Sequence, residues 1–143
     1  SYFADLANRM DNMNVAGHLT GSIDLVLRLD GPRFLVVDYK SNRAHPPGDP
    51  SWLDHYEEAP LREEMIKHDY PLQAFLYSVA LHRYLRWRLP DYDPSAHLAG
   101  SAYLFLRGMV GPPGTDGRTT GVTCWRPPIE AILSADRILA GDQ

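Results

Sequence analysis

A chain of 143 residues with 44% apolar and 10% aromatic residues and a net charge of −4 suits one folded domain spanning residues 1–143 and is too apolar to be disordered. No apolar run approaches the roughly 18 residues needed to cross a membrane, and no signal-peptide pattern opens the chain. Cys124 is the single cysteine, which excludes an intrachain disulfide framework or a cysteine-based zinc site and fits a cytoplasmic protein. The acidic balance, with a pI of about 5.8, argues against a self-sufficient nucleic-acid binder with a basic face, although acidic metal ligands would lower the pI without preventing DNA binding.

Tyr2, Phe3, Leu6 and Met10 fall at roughly helical spacing, which predicts a short amphipathic helix within residues 1–16. In LTGSIDLVLRL (19–29), Ile23, Leu25, Leu27 and Leu29 alternate with Asp24, Val26 and Arg28, a strand period. Asp30-Gly31-Pro32 is a turn signal, and RFLVVDYK (33–40) is a second strand rich in β-branched and aromatic residues. So short a connection predicts an antiparallel hairpin. Pro46, Pro47, Gly48, Asp49 and Pro50 mark a loop, with a short helical turn near Trp52–Tyr56. A helical stretch is expected from near Leu61 to about Leu89, with Leu72, Phe75, Leu76, Val79 and Ala80 on one apolar face and Leu81 and Leu85 on another side, so that it is buried over much of its circumference. Pro71 marks either a kink or the first turn of a new helix, and Pro90 ends the stretch. Residues 100–107 predict a third strand, 111–121 a loop, 121–125 an edge strand and 129–140 a terminal helix. This order suits an α/β sheet with a helix packed on one face.

Period-2 alternation puts Phe34, Val36, Asp38 and Lys40 on one strand face. Whether Asp24 joins them depends on the hairpin register. A two-residue loop at Asp30-Gly31 would set Asp24 against Val37 and send the two aspartates to opposite faces. A three-residue loop pairs Leu29 with Arg33 and places Asp24 across from Asp38, with Cβ atoms about 4.5–5.5 Å apart. The second register is the chemical expectation. Two carboxylates at that range repel unless a cation joins them, and Mg²⁺ commonly uses one or two carboxylates plus water and phosphate. Lys40 reaches the same side, where its ammonium can orient a water or neutralise developing charge. The plain alternative is a same-face ion pair of Asp38 and Lys40, worth under about 1 kcal/mol. Against it stands their place at the end of an apolar strand, LVVDYK, where buried polar groups need a reason.

The runs GSIDLVLRLDGPRFLVVDYKSN, YPLQAFLYSVALHRYLRWRL and AYLFLRGM resemble the C-terminal nuclease domains of RecB subunits in bacterial RecBCD helicase–nucleases (exodeoxyribonuclease V), within the PD-(D/E)XK superfamily. The resemblance covers most of Thr20–Met109. It implies a restriction-endonuclease-like αβββαβ core, a mixed central sheet with flanking helices, and Mg²⁺-dependent phosphodiester hydrolysis of DNA in double-strand break repair, with Mn²⁺ or Ca²⁺ able to substitute in binding. By position it makes Asp24 and Asp38 metal ligands, the Tyr39 carbonyl an additional ligand, and Lys40 the catalytic lysine. Gln73 and Tyr77 match the family's Q-x-x-x-Y element, with Tyr70 preceding it. At i, i+4 they share one helical face, although Tyr70 and Tyr77 can equally be core aromatics. The implied partners are single-stranded DNA, RecC-like and RecD-like subunits, and the helicase part of a longer chain.

The family carries a metal-binding histidine on a helix well before the first core strand. Seventeen residues precede His18 here and do not resemble that region. His18 does not match by position and reads as a surface or turn residue. The chain is therefore expected to lack the family's N-terminal helix and first strand, and its metal affinity and isolated activity to depend on them. The alternative function is a catalytically silent DNA-channel or subunit-docking module of the same fold.

Elsewhere, His82, Arg83, Arg86 and Arg88 form a basic stretch that suits either phosphates or a helix C-terminus. Arg43 is the better phosphate candidate, Ser41 and Asn42 lie beside it, and Arg107 is expected in a structural salt bridge. His45, His55, His68 and His97 are expected at the surface, and Trp52, Trp87 and Trp125 in packing.

Overall fold

The computed structural model of the chain describes residues 20–111 and 118–140. The helix expected within residues 1–16, and His18, lie outside them. The two alternating runs form a hairpin of β1 (Leu25–Arg28) and β2 (Phe34–Lys40). Leu25 pairs with Val37 and Arg28 with Phe34, and the Leu29 N–H donates to the Arg33 carbonyl at 2.7 Å. The connection is thus the three-residue loop, with Gly31 at φ +66°, a conformation that glycine takes without a Cβ penalty. Continued one step, this register sets Asp24 opposite Asp38.

Beyond β2 the chain makes a 3₁₀ turn at Trp52–Tyr56 and then two helices, α1 (Glu58–Lys67) and α2 (Tyr70–Arg88). The helical stretch expected from near Leu61 to about Leu89 is divided, and Pro71 marks the first turn of a new helix, the second of its two expected roles. Asp69 takes a left-handed φ of +54°, and Pro71 sits in the first turn of α2, where its missing N–H costs nothing. A one-turn helix α3 (Pro94–His97) leads into β3 (Leu98–Phe105), and β4 (Val122–Trp125) and α4 (Ile129–Ala140) follow. The sheet order is β1-β2-β3-β4. β2 and β3 run parallel, which requires a long crossover, supplied by α1 and α2. The outer pairs are antiparallel. The chain has an α/β fold with a mixed four-stranded sheet and flanking helices.

The buried stripe of α2 is Pro71, Ala74, Ser78, Leu81, His82 and Leu85, with Val79 beside it. Val79, Leu81 and Leu85 are buried as expected, but the rest of the expected stripe is corrected: Ala80 is exposed and Leu72 and Leu76 only half-buried. Small side chains at Ala74 and Ser78 let the helix lie close to the sheet, and the Ser78 hydroxyl donates to the Ala74 carbonyl at 2.8 Å. Two apolar clusters result. One joins Val36 to Val79, Leu81, Leu85, Leu98 and Ile132; the other joins Tyr103 and Phe105 to Tyr56, Leu61, Met65 and Ala74. Val36 precedes Asp38 on its face and Tyr103 lies beside Asp38 in the ladder, so the acid sits at the junction of the clusters.

The basic stretch of α2 ties that helix to α4. Arg83 Nε and Arg86 Nη1 reach the buried Asp136 carboxylate at 2.5 and 2.6 Å. His82 is buried, and its Nδ1 lies 3.0 Å from the Tyr92 hydroxyl. Burial pushes the Tyr92 hydroxyl up to about 12, and the other ring nitrogen of His82, Nε2, lies 3.6 Å from the Asp136 carboxylate. Two other expectations are corrected. Trp87 is 76% exposed, with Arg88 over its ring, because the buried side of α2 turns away from it. Among the described residues Arg107 donates to the Ser41 carbonyl at 2.7 Å rather than to a carboxylate.

This network predicts acid sensitivity. Burial, with Arg86 and Arg83 nearby, lowers His82 below its usual 6.5 despite the opposing pull of Asp136. The unfolded chain therefore binds more protons just below pH 6.5, and stability that is full above 6.5 falls as the pH drops toward the folded value. Burial raises Asp136, but hydrogen bonds from Arg83 and Arg86 outweigh it and leave it below 3.8, so its contribution is lost only in stronger acid. Urea midpoints should decline from pH 6.5 downward, and His82→Gln should flatten that first decline.

Candidate active site

Asp38 is 4% exposed, held inside by a central strand whose preceding residues, Phe34 to Val37, are apolar. Its Oδ2 lies 2.6 Å from Lys40 Nζ but makes no hydrogen bond of acceptable geometry among the described residues. The contact is an ion pair that leaves lone pairs of a buried carboxylate free for another cation. Asp24, exposed at the mouth of the hairpin, accepts a hydrogen bond from the Tyr39 N–H at 3.0 Å. β1 begins at Leu25 while β2 continues to Lys40, so the Asp24 side chain replaces the missing ladder partner. The N–H and C=O of one strand residue point to the same edge, so the Tyr39 carbonyl faces the gap that Asp24 borders.

Lys40 is held from several sides. Gln73 Oε1 accepts from its Nζ at 3.0 Å, and the Tyr70 ring centroid lies 4.0 Å from the ammonium. Gln73 Nε2 donates to the Tyr77 hydroxyl at 3.0 Å, and that hydroxyl donates to the Ser22 carbonyl at 2.5 Å. The directions are forced: lysine can only donate, so Gln73 must present Oε1 to it and Nε2 to Tyr77. A chain of contacts thus runs from Asp38 through Lys40, Gln73 and Tyr77 to Ser22, two residues before Asp24. Beside it, Thr20, Gly21, Ile23, Leu72 and Tyr77 border a cleft of about 480 Å³.

The five side chains singled out in the sequence come together here, with Tyr39 contributing backbone. The described residues contain no group of three or more His, Cys, Asp or Glu placed to hold a metal. The donors present are two carboxylates and a carbonyl. All are hard oxygens, and the buried Asp38 Oδ2 lacks a hydrogen-bond donor, so the set fits a Mg²⁺-like ion that keeps several waters. Arg43 is exposed at the end of β2, and the basic stretch of α2 is engaged elsewhere.

A family-level comparison matches residues 4–122 to the PD-(D/E)XK nuclease superfamily. The chain belongs to that superfamily. As a PD-(D/E)XK chain it is 50% identical over 125 residues to the RecBCD enzyme subunit RecB of Mycobacterium tuberculosis strain H37Rv, covering 86% of this chain and 11% of the relative. It is 46% identical over 125 residues to RecB of Mycolicibacterium smegmatis, covering 86% and 11%. With Escherichia coli K12 RecB the identity is 39% over 136 residues, covering 92% and 10%. The PD-(D/E)XK chain spans about a tenth of the length of the curated relatives it matches.

Two neighbours of the site escaped the sequence reading. Tyr103 stands beside Asp38 across the parallel ladder, a register that depends on how the crossover packs and leaves no local sign. Glu64 on α1 accepts from Asn42 Nδ2 at 3.4 Å and contacts His68 Nε2 at 2.8 Å. The i, i+4 spacing of Glu64 and His68 was a signal for that pair.

Proposed function

We propose that this chain is the nuclease domain of a RecB-like subunit and hydrolyses DNA phosphodiesters with Mg²⁺. The observation that carries the reading is the buried Asp38 carboxylate, ion-paired to Lys40 at 2.6 Å and facing Asp24 across the hairpin. In this reading Asp24, Asp38 and the Tyr39 carbonyl hold one divalent cation, with Mn²⁺ or Ca²⁺ able to replace Mg²⁺ in binding. The bound ion supplies Lewis-acid polarisation of the phosphate and acidifies a coordinated water. Lys40 holds the incoming water and donates to charge growing on the phosphoryl oxygens. Water oxygen bonds to phosphorus as one P–O ester bond breaks, the water giving up a proton to solvent and the departing ester oxygen taking one up. Gln73 fixes the Lys40 ammonium, and Tyr77 fixes Gln73 against the Ser22 carbonyl. Arg43 meets the DNA backbone.

The partners in this reading are single-stranded DNA, the helicase part of a longer chain, and RecC-like and RecD-like subunits, in cytoplasmic double-strand break repair. With a net charge of −4, the chain suits a site to which a larger assembly delivers the strand. The test is cleavage of labelled single-stranded DNA with Mg²⁺ or with chelator. Mg²⁺-dependent cutting supports the reading. DNA binding without cutting, in this chain and in one carrying its upstream region, would replace it with the silent DNA-channel or docking module.

A further inference from the structure

Lys40 is flanked by a second ring, from Tyr103. Its centroid lies 5.3 Å from Nζ, within the roughly 6 Å over which a cation feels an aromatic face. Tyr103 is 1% exposed and stacks on Tyr70 at 5.8 Å with planes 16° apart. Its hydroxyl lies 3.0 Å from the Tyr70 carbonyl and 3.2 Å from Gln73 Oε1. The hydroxyl's single proton is shared between these two acceptors, one at the N-terminus of α2 just after the left-handed Asp69, the other the amide oxygen that accepts from Lys40. One residue of β3 therefore touches three groups that determine where the ammonium sits.

We infer that Tyr103 is a positioning residue for the proposed hydrolysis: with Tyr70 it cages the Lys40 ammonium, and through its hydroxyl it keeps Gln73 Oε1 aimed at that ammonium. The inference rests on the nuclease reading for its chemical consequence but not for its geometry. A lysine stem has four rotatable bonds and wanders unless constrained. The ion pair with Asp38 fixes one direction only, and the two rings and the oriented amide fix the others. The work divides between the parts of Tyr103, the ring restricting position and the hydroxyl restricting the amide.

The chain has two lysines, Lys40 and Lys67, and the Lys67 side chain is 72% exposed, an internal reference. In chain labelled with ¹³C-lysine, the Lys40 Cε–Hε signal is expected upfield of that of Lys67 because it lies near two ring faces. Tyr103→Phe should keep that shift and lower kcat for single-stranded DNA about tenfold, as expected for one lost orienting hydrogen bond, with KM unchanged. Tyr103→Leu should move the Lys40 signal toward Lys67 and lower kcat further. Should that variant fail to fold, Tyr70→Leu, at a half-buried position, should produce the same movement. A Lys40 signal coincident with Lys67 in the parent, or unmoved in a folded leucine variant, overturns the cage. Unchanged kcat in Tyr103→Phe overturns the role of the hydroxyl. A shifted Lys40 in a parent that cuts no DNA leaves the cage standing and removes the reaction, so the two readings fail separately.

Discussion

Asp38→Asn is expected to lower single-turnover cleavage of single-stranded DNA by about 10³-fold or more, since it removes a ligand charge where the transition state gathers negative charge. The substitution keeps the side chain's shape. Lys40 retains Gln73 Oε1 at 3.0 Å and the Tyr70 ring at 4.0 Å, so the fold should survive and a thermal melt should show it. Asp24→Asn should act in the same direction. Asp24 is exposed and also satisfies the Tyr39 N–H, a contact that asparagine Oδ1 can keep. A loss confined to DNA binding, with the chemical step intact, would place these acids outside the reaction.

Lys40→Met should cost more stability than any surface substitution. It leaves a carboxylate of 6% side-chain exposure without its cation, and removing one partner of a buried pair typically costs about 3–5 kcal/mol. The loss should depend on conditions in a diagnostic way. A divalent cation at Asp38 would take over the role of the ammonium and restore about 2.7 kcal/mol at a hundredfold excess over its dissociation constant. Urea unfolding of Lys40→Met with and without Mg²⁺ measures this directly. The variant should gain at least as much from Mg²⁺ as the parent while remaining deficient in cleavage. A gain seen in the parent and absent in the variant would mean that the ion binds elsewhere.

Local rules carried the sequence reading as far as the hairpin. Asp38 and Lys40 share a face by strand period alone, and the charge argument selected the three-residue loop that brings Asp24 opposite. Gln73 and Tyr77 share a face by helical period. What failed was tertiary. The stripe of α2 was misplaced because apolar residues surround much of that helix, and the side that approaches the sheet is marked by its small residues, Ala74 and Ser78. Arg83 and Arg86 suited either phosphates or a helix C-terminus, because their partner, Asp136, lies about fifty residues later on another helix. Tyr103 carries no local sign of its place, which a parallel register sets beside Asp38.

Mn²⁺ binding followed by electron paramagnetic resonance tests the central claim, that Asp24 and Asp38 share one divalent cation. A shared ion should give one Mn²⁺ site that Mg²⁺ displaces and that either Asp24→Ala or Asp38→Ala weakens severely, while Glu58→Ala, a change at an exposed acid on α1, leaves it intact. Mn²⁺ affinity unchanged by both aspartate substitutions would contradict it.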